Sequence, residues 1–204
     1  MKKSTLRFLE SLFLLTLAGF FLLSANPLYS QETEFKRTSV KTGIGIGINE
    51  GLREIGVGLV YSIGWQKSVG EKNRVRINPN MLYGGFLPLG ITDTRDQFYR
   101  MTTLGFNVHY DLIRYKAASI VTTGGGFMNY SRGLLGTGGW PSENNNSSDY
   151  FFTLYFGGNA SVGLRIAPEK SKVAIELRPV NMHIGTKGYL YNYIMFGIDF
   201  KLKK

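Results

Sequence analysis

The chain has 204 residues, with 26 Gly, 14 Phe, 12 Tyr, no Cys, two His, and 24 Lys plus Arg against 14 Asp plus Glu for a formal charge of +10. The absence of cysteine excludes a disulfide scaffold, a thiolate metal site, a cysteine nucleophile and a lipidated N-terminal cysteine, and two histidines cannot fill a multi-histidine metal site. Hydrophobic content of 43% with 14% aromatics is too rich for a disordered polybasic tail; the length suits one domain, and the positive excess raises nucleic acid or an anionic membrane surface as partners.

Residues 1–30 have the three-part shape of an export signal. Lys2, Lys3 and Arg7 form the basic start, Leu12 to Leu23 an apolar stretch, and Ser24-Ala25-Asn26-Pro27 breaks it before Ser30. The stretch is shorter than the roughly 20 apolar residues a spanning helix needs, and Glu10 bounds it on the left. Cleavage after Ser30 leaves 21 basic against 13 acidic residues, a charge of +8. A short segment, 31–37, precedes the domain proper at 38–202.

Beyond it a period of two recurs eight times between turn-like segments, which predicts eight strands. The first sets Val40, Thr42, Ile44, Ile46 and Ile48 against Gly43, Gly45 and Gly47. The second runs from Ile55 to Trp65, the third from Val75 to Tyr83, the fourth from Leu104 to Leu112. The fifth carries Ala118, Ile120, Thr122, Met128 and Tyr130 on one face; the sixth is longest, from Tyr150 to Ile166; the seventh spans Val173 to Pro179; the eighth ends Ile194, Phe196, Ile198, Phe200 and Leu202.

Eight strands in series predict an all-β, antiparallel up-and-down barrel, either soluble with an apolar interior or membrane-spanning with an apolar exterior. The polar faces are mostly Gly, Ser, Thr and Asn, with a few large residues such as Tyr155 and Met195, which suits a crowded lumen better than a surface in bulk water. The apolar faces carry no Lys, Arg, Asp or Glu through their central turns, as a lipid-facing wall requires. Aromatic girdles are expected from Tyr83, Tyr130 and Tyr150 at one end, beside long connections at 87–99 and 132–149 and a middling one at 182–190. Trp65, Tyr110 and Phe200 mark the other end, beside short connections at 67–73, 113–117 and 167–172. The link at 49–52 is the one short connection on the long-loop side.

With this pattern in view, the mature chain resembles the small eight-stranded outer-membrane barrels, the OmpA-like and OmpX-like group, and is similar to the broad outer-membrane protein β-barrel domain class that includes PorT-like proteins. The resemblance covers nearly all of 38–202 as a pattern and carries over no functional residue. The ending Gly197-Ile198-Asp199-Phe200-Lys201-Leu202 looks like the family's C-terminal insertion signal, through Gly197, Phe200 and Leu202, with Met195 and the Lys203-Lys204 tail as departures. It implies assembly by the barrel-insertion machinery, in the outer membrane of a diderm bacterium.

Chemistry is sparse. Gly43-Ile44-Gly45-Ile46-Gly47 and Gly124-Gly125-Gly126 lack the register and the strand-to-helix context of a phosphate loop. His109 and Asp111 share the inward face of strand four, with Ser119 beside them, but a lipid hydrolase would present such groups outward; a hydrogen-bonded lumen cluster is the expectation. His183 reads as a solvated loop residue. By parity Arg76, Arg165, Arg178, Asp111, Glu176 and Asp199 face inward, three of each sign, and are expected to pair in a plugged, polar core, with Arg165 and Asp199 the candidates for wet rim positions. Trp140, in the polar 132–149 loop, is a candidate loop contact.

The basic excess sorts to one rim as a collar that includes Lys36, Lys41, Lys67, Arg74, Arg114, Lys172 and Lys204, expected against anionic headgroups. The reading is a monomeric, non-enzymatic outer-membrane barrel without cofactor or metal. Its partners are outer-membrane lipids and an unidentified extracellular ligand, not nucleic acid. The alternatives are a soluble lipocalin-like ligand-binding barrel and an outer-membrane lipid-modifying enzyme.

Overall fold

The computed structural model describes residues 38–70, 73–88, 98–136, 148–168 and 171–202. The alternating runs form eight strands: β1 (Thr38–Glu50), β2 (Ile55–Val69), β3 (Val75–Pro88), β4 (Phe98–Tyr115), β5 (Ala118–Gly136), β6 (Ser148–Ile166), β7 (Val173–Gly185) and β8 (Leu190–Lys201). Each pairs antiparallel with the next, and β8 pairs with β1 from Ser39↔Lys201 to Glu50↔Leu190. The sheet closes into a barrel and leaves no free edge.

The pleat decides what faces where. Ile44, Leu59, Phe106, Phe156, Leu164 and Phe196 point outward and stay exposed, while Ser62, Asn78, Thr103, Asn129 and Ser161 point inward and are buried. This is the inverse of a soluble lipocalin-like barrel, in which the large apolar side chains would line a cavity. Strands of 12 to 19 residues exceed the 9–11 or so that cross a bilayer at a tilt, so their ends continue the ladder beyond an apolar band.

That continuation shortens the connections expected from sequence. β3 runs to Pro88 and β4 starts at Phe98; β5 runs to Gly136 and β6 starts at Ser148. The segments between them, with Trp140, lie outside the described residues, as do residues 1–30, where an export signal is expected, and the segment 31–37.

Two bulges reset the inside-outside alternation. In β7 the register slips between Arg178 and Asn181 against β8, because Pro179 cannot donate to the ladder. The Asn181 side-chain amide donates to the carbonyls of Arg178 (3.1 Å) and Tyr193 (2.9 Å), which satisfies the acceptors the bulge exposes. The strand then continues to Gly185, so 182–185 is not part of a loop and His183 is not a solvated loop residue. It points into the barrel at 4% exposure. A second bulge between Asp111 and Ile113 on β4 turns Arg114 back toward Asp111.

Small residues on one strand make room for large ones on the next. A Cβ on Gly47 would lie 2.5 Å from Tyr193 Cβ and 2.8 Å from Tyr191 Cε2, and one on Gly43 would lie 3.0 Å from Met195 Sδ. The glycine face of β1 is therefore the seat of the bulky inward face of β8.

Candidate functional site

The lumen is built in two layers. The layer toward the short connections is ionic and draws on every strand. Asp111 on β4 pairs with Arg76 on β3 (2.6 Å) and with Arg114 (2.6 Å). Glu176 on β7 pairs with Lys41 on β1 (2.6 Å), with Arg178, and at 3.9 Å with Arg165 on β6. Arg165 also reaches Asp199 on β8 at 3.0 Å, where the Gln66 amide of β2 donates at 3.4 Å. On β5, the Thr123 hydroxyl sits 2.7 Å from His109 Nδ1, and His109 Nε2 lies 3.4 Å from the Asn78 side-chain oxygen.

All six inward charges named from parity are buried in this layer; Arg165 is 3% and Asp199 1% exposed, so neither is a wet rim residue. Two cations assigned to the rim collar also belong here. Lys41 is buried at 5% because it shares inward parity with Ser39 and Gly43, and Arg114 is drawn in by the β4 bulge. The layer thus holds five cations (Lys41, Arg76, Arg114, Arg165, Arg178) against three carboxylates, not three of each.

The layer toward the long connections is built around aromatic rings, with Asn49, Thr103, Asn129 and Ser131 buried among them. Phe86 and Tyr99 stack at 5.1 Å, Tyr191 and Tyr193 at 4.6 Å, and Tyr155 and Tyr189 at 4.6 Å. His183 is wedged 4.7 Å from the Phe127 ring and edge-on to Tyr191 and Tyr193. Glu54, in the tight β1–β2 turn, is 1% exposed and accepts a 2.9 Å hydrogen bond from the Tyr155 hydroxyl, which itself accepts from Leu52 N–H at 3.0 Å. The turn is thereby tied to the top of the aromatic layer. Between the layers, a void lined by Lys41, Ser62, Asn78, Leu82, Arg178 and Met195 has a volume of about 10 Å³, the size of a single water.

His109 therefore contacts Thr123 and Asn78 and is not engaged by Asp111, whose carboxylate is held by two arginines. The base-orienting contact that a His-centred nucleophile activation requires is not made. Among the described residues no cluster of metal-ligating side chains occurs.

The outer wall carries the six aromatics expected to form girdles. Trp65, Val40 and Phe200 form one cross-strand row near the short connections, and Tyr83, Thr102, Tyr130 and Leu154 form another nearer the long ones. Trp65, Tyr83, Tyr110, Tyr130, Tyr150 and Phe200 are all exposed on the outer face. At the C-terminus Phe200 and Leu202 face outward, while Gly197 faces the lumen and borders the Lys41 stem.

Sequence reasoning places Lys41 and Arg114 in the rim collar and His183 in a loop, puts Tyr155 and Met195 on the inward faces, and does not single out Glu54 or the ring stacks. Parity alone carried the signal for Lys41, and Tyr191 and Tyr193 share the parity of Met195. His183 and Arg114 lie beyond bulges, where parity counting fails.

No family model matches the sequence, and no curated protein matches it. Among solved structures the chain is similar to Neisserial surface protein A, at 10% identity over 81% of this chain and 97% of that one, with a TM-score of 0.56. It also matches Ail, the attachment invasion locus protein of Yersinia pestis, at 8% identity over 82% and 99% (TM-score 0.49). A third match is the N-terminal β-barrel domain of Pseudomonas aeruginosa OprF, at 11% identity over 82% and 100% (TM-score 0.46). With its closed antiparallel strand order and the likeness to Neisserial surface protein A, the chain has the eight-stranded up-and-down fold of the small outer-membrane β-barrels.

Proposed function

We propose that the chain is an integral outer-membrane protein with a plugged lumen, without enzymatic activity, that acts through its outer wall and its long external connections. One observation carries the reading: a continuous exposed apolar wall encloses an interior of buried ionic and aromatic side chains. Exposed Ile, Leu and Phe around the whole barrel suit lipid and not water. Inside, the ion pairs and ring stacks leave little room for a diffusing solute. The basic start and apolar stretch at 1–30 support export, and the Gly197, Phe200, Leu202 ending supports assembly by the barrel-insertion machinery. Trp140 in the 132–149 connection is the candidate for contact with an extracellular partner.

The test is migration of a membrane fraction on a gel with and without boiling. A folded membrane barrel runs anomalously until heated; recovery of the whole protein in the soluble fraction would refute the reading. Replacing His109 by Ala should leave lipid composition unchanged, because that ring is engaged by Thr123 and Asn78 inside the barrel.

A further inference from the structure

We propose that Arg100 and Arg132, on the outer wall at the end of the barrel bearing the long connections, form a binding site for a phosphate-bearing headgroup of an outer-leaflet lipid. The proposal rests on the reading that this wall faces lipid.

The two arginines are direct cross-strand partners in a row that runs Gly85 (β3), Arg100 (β4), Arg132 (β5), Phe152 (β6). Both are exposed outward. Like charges placed directly opposite one another repel, and among the described residues no carboxylate is ion-paired with either. The next outward row toward the strand ends is Phe98, Leu134, Tyr150, and the next row toward the middle is Thr102, Tyr130, Leu154. The cations thus lie within the apolar wall, not beyond it.

A pocket fits this arrangement. Phe98, Arg100, Arg132, Gly133, Leu134 and Tyr150 line a hollow of about 320 Å³, and Gly85 beside Arg100 gives the Phe98 ring its seat, since a Cβ there would meet Phe98 Cζ at 3.3 Å. The Arg100 guanidinium lies over the Phe98 ring at 5.1 Å, an attractive cation–π contact. Two planar guanidinium forks lining one hollow can match the oxygens of a phosphate, and an anion bound there offsets their mutual repulsion. The surrounding Phe98, Leu134, Tyr150 and Phe152 suit the apolar body of a lipid and not a soluble polyanion. A phosphorylated lipid supplies both features in one molecule.

The experiment is native mass spectrometry of the full folded barrel in detergent micelles, titrated with a bisphosphorylated, acylated glucosamine disaccharide and with the same lipid after phosphate removal. The wild-type barrel should retain the phosphorylated form roughly tenfold better. Arg100→Gln with Arg132→Gln should abolish that preference, Arg132→Gln alone should reduce it roughly threefold, and Arg53→Gln, an exposed cation in the β1–β2 turn, should leave it intact. Preference retained in the folded double variant would overturn the site while leaving the membrane reading standing. Displacement of the lipid by a soluble sulfated oligosaccharide would overturn it in favour of a glycan. A wild-type barrel without heat-modifiable migration would overturn the membrane reading itself.

Discussion

Lys41 Nζ on β1 lies 2.6 Å from Glu176 Oε2 on β7, and the strand between them, β8, presents Gly197 at the crossing point. A Cβ built on Gly197 would meet Lys41 Cε at 3.6 Å. The glycine leaves the passage through which the lysine stem spans the seam where the last strand meets the first. Gly197→Ala is therefore expected to be tolerated, whereas Gly197→Leu should push Lys41 off Glu176. In urea unfolding of the barrel refolded into vesicles, Gly197→Leu and Lys41→Met should each lose stability, and the double variant should lose less than their sum.

Glu176 is the anion on which three cations converge. Glu176→Gln leaves Lys41 and Arg178 buried without it and should cost about 3 to 5 kcal/mol. Lys41→Met leaves Glu176 still paired with Arg178 and should cost less. A reversed order in the same unfolding measurement would contradict the pairing described here.

The outer wall gives a position-dependent prediction. Phe106, at the middle of β4 and exposed, replaced by Arg should cost about 2 to 4 kcal/mol, while Tyr110→Arg, nearer the strand end, should cost about 1 kcal/mol or less. A barrel whose wall faced water would lose nothing at Phe106, so a flat profile would count against membrane insertion.

The aromatic layer should act on stability and not on transport. Phe86→Ala or Tyr99→Ala removes one ring of a buried stack and should cost about 3 to 5 kcal/mol. Neither variant is expected to conduct, because the ionic layer below still fills the barrel. Steady conductance in either variant would show that the rings alone close the lumen.

The architecture was legible because alternation is a strong signal wherever one face meets lipid and the other a packed interior. Ile44, Ile46 and Ile48 can face only one way, and the glycines between them only the other. Parity also placed Arg76, Asp111, Arg165, Glu176, Arg178 and Asp199 inward. It failed where the backbone inserts a residue: Pro179 reverses the alternation, so His183 passes from an assumed loop to the interior, and the bulge after Asp111 brings Arg114 onto that carboxylate. Lys41 differs for another reason: charge near a strand end suggests a rim position, but its parity with Gly43 points inward. The aromatic layer was hidden because Tyr191 and Tyr193 stack only when β1 offers glycine beside them, a relation between strands that no single run displays.

The most direct test of a filled lumen is current through planar bilayers containing the purified, heat-modifiable barrel. With the Lys41–Glu176 and Arg76–Asp111 pairs and the Phe86–Tyr99 stack in place, no stable conductance above the bare bilayer is predicted. Large, steady, long-lived openings would contradict a plugged barrel.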